Sequence, residues 1–149
     1  MSSIVASVIT AVSALAVTVG WPGTHASTWE TAEKYVFSTP LPSFIAASQR
    51  TDRDARLDWT TDNCSAPVLG SAGKTYDFTD ACRRHDFAYR NLARLDNGRR
   101  WTHALRLKVD NRFLADMRNH CAHRPSVQRT ACRAWATLYF DTVRRFAGP

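Results

Sequence analysis

Asp77-Phe78-Thr79-Asp80-Ala81-Cys82-Arg83-Arg84-His85-Asp86-Phe87-Ala88-Tyr89-Arg90-Asn91-Leu92-Ala93-Arg94-Leu95 is the stretch that decides the fold. Asp77 or Thr79 suits a helix cap, Asp80 suits the positive end of the helix dipole, and Asn97-Gly98 follows as a stop. At about 3.6 residues per turn, Cys82, His85, Asp86 and Tyr89 share one face. That face carries a tether, a proton acceptor, an anionic oxygen ligand and a phenol. His85 and Asp86 are sequence neighbours, so their side chains diverge by roughly 100° about the axis. Each therefore serves a different side of one cleft.

The chain has 149 residues, 44% of them hydrophobic, enough for one compact domain and short for two. Residues 1–26 hold no charged side chain, run apolar from Ile4 to Val19, and end in Thr24-His25-Ala26-Ser27. This reads as a secretory signal peptide without the usual leading positive charge, leaving residues 27–149 as the mature domain. A buried N-terminal helix or a membrane anchor is the competing reading; the run is short for a span and Trp21-Pro22-Gly23 breaks it. The cysteines Cys64, Cys82, Cys121 and Cys132 lie behind that segment and read as two disulfides, with three connectivities open. None has the close Cys-x-x-Cys spacing that zinc sites favour. The formal charge of +7 comes mostly from arginine, with Arg83, Arg84, Arg90, Arg94, Arg99 and Arg100 dense around the central helix. Anionic lipid or nucleic acid would suit it, although solubility alone explains such a charge.

Ser27-Thr28-Trp29-Glu30 has the form of a capping box, with Trp29, Ala32, Val36 and Phe37 as an apolar stripe behind it. Pro40 and Pro42 are expected to end that helix, and Ser43 to open a short second one. Residues 57–75 read as an irregular loop containing Gly70 and Gly73. A long amphipathic helix is expected over residues 99–118, with Leu107, Asp110, Phe113, Leu114 and Met117 on one stripe that Cys121 continues. The last helix, residues 127–146, lines up Cys132, Trp135, Tyr139, Val143 and Phe146. No stretch alternates as a strand would. The expected architecture is all-α: one compact domain of about five helices around two long antiparallel ones, those bearing His85 and Asp110.

Asp110 lies inside an apolar stripe, where an unpaired carboxylate is costly to bury. If the two long helices pack side by side it faces His85, fixing one ring nitrogen and freeing the other as a base. Pairing with Arg106, one turn earlier, fits the spacing equally well. Asp62 stands two positions before Cys64. A Cys64–Cys82 bridge would draw its loop onto the central helix, where Asp62 and Asp86 could share a hard divalent cation. Against this, most loop aspartates are turn or capping residues.

In order and spacing these residues resemble the secreted phospholipases A2 of the bacterial and fungal type. The likeness runs from Leu57 onward. It rests on Asp58-Trp59-Thr60-Thr61-Asp62-Asn63-Cys64, on Ala81-Cys82-Arg83-Arg84-His85-Asp86-Phe87-Ala88-Tyr89-Arg90-Asn91, and on Val109-Asp110 with Asp116-Met117 downstream. It implies Cys64–Cys82 and Cys121–Cys132 disulfides, and calcium held by Asp62, the Asn63 carbonyl and Asp86. The implied activity is hydrolysis of the sn-2 ester of glycerophospholipids. His85 would be the base, Asp110 the acid behind it, and calcium the support of the oxyanion. Tyr89 would hydrogen-bond in the substrate pocket, although a packed core aromatic fits it as well. The implied protein is a secreted monomer working at a membrane surface or micelle, with no nucleic-acid partner. The adjacent cysteine pair and glycine-rich calcium loop of the animal enzymes are absent. Asn63 stands where the family commonly has an apolar residue, a change that a main-chain ligand tolerates.

Two other functions compete. A non-catalytic basic protein coating anionic membranes or nucleic acid would use the arginines, with Trp59 or Trp101 at the interface, but gives no reason for Asp110. A metal-dependent nuclease would use His85 and the arginines on phosphate. Asn63-Cys64-Ser65 has the form of a glycosylation acceptor, made unfavourable by its central cysteine.

Overall fold

The computed structural model describes residues 26–63 and 76–146, which hold five α-helices and no strand. Ser27 opens the chain's first helix with the expected reciprocal cap. Its hydroxyl accepts the Glu30 amide at 3.1 Å, and the Glu30 carboxylate accepts the Ser27 amide at 2.8 Å. Helix α1 (Thr28–Glu33) then widens into a π-helical turn, Lys34–Ser38, closed by the Thr39 amide on the Lys34 carbonyl at 2.9 Å. Pro40 alone ends this segment. Pro42 belongs to the first turn of α2 (Leu41–Ser48), where a missing N–H leaves no bond unmade, so α2 starts before Ser43.

Helix α3 (Thr79–Leu92) is the central stretch, and Asp77 Oδ1 takes the Thr79 amide at its start, at 3.0 Å. After it, Asp96, Asn97 and Gly98 adopt φ values of 55°, 57° and 73°, a left-handed reversal suited to Asn and Gly. Helix α4 (His103–Ala122) therefore begins later than residue 99, capped by the Thr102 hydroxyl on the Leu105 amide at 3.1 Å. Helix α5 (Ser126–Phe146) follows. The pairs Tyr89–Arg106, His85–Asp110 and Arg84–Asp116 run in opposite senses along α3 and α4, so these two helices are antiparallel. They are not the two longest. That place belongs to α4 and α5, of 20 and 21 residues against 14 for α3, and these two share the most extensive packing.

Cys121 and Cys132 form a disulfide that joins the end of α4 to the early part of α5. It is the one disulfide with both cysteines among the described residues, where no cysteine is free. Cys82 is also disulfide-bonded, and its expected partner, Cys64, lies outside the described residues, as do 1–25 of the expected signal segment. No described helix is long and apolar enough to cross a membrane.

Helix α3 divides the apolar interior. Phe87, Ala88 and Leu92 pack with Trp29, Val36, Phe44 and Val109 on one side; Ala81 and Cys82 pack with Phe113, Met117, Cys132 and Tyr139 on the other. Two expected core positions face outward, Leu107 at 42% exposure and Phe146 at 64%. The buried stripe of α4 is centred on Val109, Phe113 and Met117, which turns Leu107 away.

Arg84, expected among the surface cations, is instead 1% exposed. Its Nε donates to Asp116 Oδ2 at 2.8 Å, its Nη2 pairs with the other carboxylate oxygen, and its Nη1 donates to the Thr39 carbonyl at 2.6 Å. One forked cation thus ties α3 to α4 and to the chain entering α2. Removing one partner strands the other charge. Arg84→Met should lower unfolding free energy by about 3–5 kcal/mol in denaturant titration. Adding Asp116→Leu should recover most of that loss; no recovery would mean that packing, not charge, holds this junction.

Candidate active site

His85 is 9% exposed and lies at the seam between the two apolar clusters. Its ring packs against Tyr89 and Phe113, each with centroids 4.6 Å away. Its Nε2 stands 2.8 Å from Asp110 Oδ1. A carboxylate only accepts, so Nε2 carries the proton of the neutral ring and Nδ1 keeps its lone pair. Nδ1 has no hydrogen bond among the described residues.

Asp110 is 0% exposed. Its Oδ1 also accepts the Tyr89 hydroxyl at 2.9 Å. Its Oδ2 accepts Arg144 Nη1 at 2.7 Å, and Arg106 Nε lies 3.8 Å away. The two partners suggested by spacing, His85 and Arg106, are thus both near, and α5 contributes a third. Burial pushes the Asp110 carboxyl up, but the hydrogen bonds from His85, Arg144 and Tyr89 outweigh it and hold the group below the usual aspartate range. Tyr89 is both a packed aromatic and a hydrogen-bonding group: it accepts Arg106 Nε at 3.0 Å. Burial first, and then the neighbouring Asp110 charge, push its phenol up to about 12, although the Arg106 bond works against them.

Asp86 stands on the adjoining side of α3 and receives the loop. Its Oδ2 accepts the Thr61 hydroxyl at 2.5 Å and the Asp62 amide at 3.0 Å. One turn further along, buried Asn91 holds Asp58 twice, accepting its amide and donating to its carbonyl, both at 2.8 Å. These two clips lay residues 58–62 along the helix. Asn63 then turns left-handed, φ 55°, with its amide on the Thr61 hydroxyl at 3.0 Å and its side-chain oxygen on Arg83 Nε at 3.1 Å. The structure therefore brings the Asp62 backbone onto Asp86, while the Asn63 side chain next to it reaches Arg83. The Asp62 carboxylate comes within 4.0 Å of Arg90.

Burial and then the charge of Asp62 push the Asp86 carboxyl up, against the Thr61 and Asp62 hydrogen bonds that lower it. No arginine or lysine pairs with Asp86 among the described residues. Asp62 and Asp86 are acids whose charges oppose each other, and carboxylate oxygens are the hard donors that a divalent cation such as calcium takes. No cluster of three or more His, Cys, Asp or Glu side chains stands in metal-holding geometry among the described residues.

Three contributors escaped the reading of spacing. Arg144 is remote in sequence and carries no local signal. Thr61 and Asn91 lie inside the quoted motifs, but polar side chains that brace a loop look like any others there.

A family model described as prokaryotic phospholipase A2 matches residues 32–147. A protein named secretory phospholipase A2 from Arthroderma benhamiae is 36% identical over 115 residues, covering 75% of this chain and 74% of that protein. Another of the same name, from Beauveria bassiana, is 34% identical over 116 residues, 78% of this chain and 57% of that protein.

The opposite shifts of the two acids give opposite pH effects. Asp110 stabilises the fold above the ordinary aspartate range, about pH 4, and that contribution disappears as pH falls through its depressed folded value. Asp86, shifted up, favours the fold when protonated and loses that contribution as pH rises through its folded value. With a chelator present, Asp86→Asn should therefore raise the melting temperature at pH 7 and change it little below about pH 3. Asp110→Asn should lower it at pH 7. Equal shifts in the same direction would refute this account of the two carboxylates.

Proposed function

This chain belongs to the prokaryotic phospholipase A2 family, and we propose that it hydrolyses the sn-2 ester of glycerophospholipids with His85 as base and calcium as cofactor. It is a phospholipase A2, an enzyme and not merely a basic coat for anionic surfaces. The observation that supports the finer reading best is the 2.8 Å contact between buried Asp110 and Nε2 of His85, the residue next to Asp86 on α3.

With Nε2 held by Asp110, Nδ1 of His85 takes a proton from a water that attacks the ester carbonyl. Asp110 offsets the charge of the imidazolium while its other contacts keep it ionised. The proton then passes to the leaving glycerol oxygen, releasing a fatty acid and a lysophospholipid. No serine or cysteine nucleophile is needed. Asp62, the Asn63 carbonyl and Asp86 would hold the cation. When bound, calcium supplies polarisation of the ester carbonyl and stabilisation of the oxyanion. Tyr89 borders the substrate pocket and steadies Asp110 from the same face of α3.

Both relatives are named as secretory, and we extend that location to this chain. Residues 1–26 are the export signal and residues 27–149 the mature, monomeric enzyme, acting on a membrane surface or micelle. A Cys64–Cys82 bridge fastens the cation loop to α3 in this reading.

His85→Ala should cut fatty-acid release from position-labelled phospholipid vesicles by roughly 10²–10⁴-fold with an unchanged circular dichroism spectrum. Undiminished release would place the base elsewhere. Removing calcium with a selective chelator should stop turnover, with activity returning on calcium but not on magnesium, which keeps its waters and demands six close ligands. Full activity on magnesium alone would overturn the ligand assignment.

A further inference from the structure

We propose that Arg144, in the last turn of α5, is a positioning residue for hydrolysis: it sets the Asp110 carboxylate so that Oδ1 addresses His85 Nε2. This rests on the reading of His85 as base. The geometry behind it is a closed circuit across three helices. Arg144 Nη1 donates to Asp110 Oδ2 at 2.7 Å, leaving Oδ1 to His85 and Tyr89. Tyr89 in turn accepts Arg106 Nε at 3.0 Å. Arg106 Nη2 reaches the carbonyls of Val143 and Arg144 at 3.0 and 2.9 Å. Those are end-of-helix carbonyls with no partner within α5, where a cation is favoured. Arg106 thereby fixes the turn that carries Arg144, and Arg144 fixes the acid beside Arg106.

A carboxylate bound through one oxygen alone swings about its Cβ–Cγ bond. Held at both oxygens, it presents one to the imidazole in a constant plane. Arg144 also supplies positive charge to a group with 0% exposure, at hydrogen-bond distance, whereas Arg106 Nε stands 3.8 Å off. The next residue, Arg145, is exposed and shares the turn without reaching the site, which makes it an internal control for charge at this end of the molecule.

The test uses the full chain on phospholipid micelles with calcium. Arg144→Ala should lower kcat by roughly 10–100-fold, the range for loss of a partner that orients an active-site group, with KM little changed. Methylguanidinium at a non-denaturing concentration should restore several-fold of the lost kcat in Arg144→Ala. It should do nothing for His85→Ala. Arg145→Ala should match the parent protein. In nitrogen NMR, the His85 ring should show protonated Nε2 in the parent and a mixture of tautomers in Arg144→Ala. A folded Arg144→Ala with kcat within twofold of the parent would overturn the proposal. So would a loss confined to KM and shared by Arg145→Ala, which would mark these arginines as lipid-surface contacts. If Arg144→Ala does not fold, Arg144→Lys decides: a partial kcat loss at unchanged KM supports positioning, and parental kcat with parental NMR refutes it. If His85→Ala itself stays active, the base assignment fails, and the NMR comparison still reports whether Arg144 orients the pair.

Discussion

One buried carboxylate organises this molecule. Asp110 is fully removed from solvent, and a charge in that position persists only where hydrogen bonds and opposite charges replace the lost water. The replacements come from three helices: His85 and Tyr89 from α3, Arg106 from α4 itself, and Arg144 from α5. All but Arg106 can be supplied only if those helices meet at one place and in one register. A hydrophobic residue there would pack as well or better, so the charge is understood through the imidazole it orients.

The second buried ion pair works differently. Arg84 and Asp116 join the same two helices, on a line beside the site, and Arg84 extends to the Thr39 carbonyl ahead of α2. Together the two acids of α4 fix its position against α3 at separate points, and the Cys121–Cys132 bond holds the far end of the α4–α5 pair. The short central helix is consequently gripped on each side. Its exposed edge is left to receive the loop at Asn91 and Asp86, the first grip neutral and close, the second made by an acid that lacks a cationic partner among the described residues. A rigid helix thus carries an imidazole on one side and an electronegative loop contact on the next.

Much of this was legible in the chain itself. The capping box at Ser27, the face of α3 shared by Cys82, His85 and Tyr89 with Asp86 adjoining it, and the oddity of an acid in the stripe of α4 are local, and local rules read them, although α3 ends at Leu92, ahead of the expected stop at Asn97-Gly98. The family likeness lay in the same residues. The boundaries were less readable: Pro42 sits comfortably inside a first turn, and Leu107 looks like core until the stripe is centred on Val109 and Phe113.

What the sequence by itself determined was the all-helical class, the candidate base and acids, and the fact that Asp110 needed partners. Only the tertiary structure decided which partners. Spacing within a helix extends a turn or so, so it could nominate Arg106 but could not see Arg144 arriving from α5, nor move Arg84 from the surface into an ion pair with Asp116. Those pairings depend on how three helices cross, and crossing is set by side-chain packing between segments far apart in the chain.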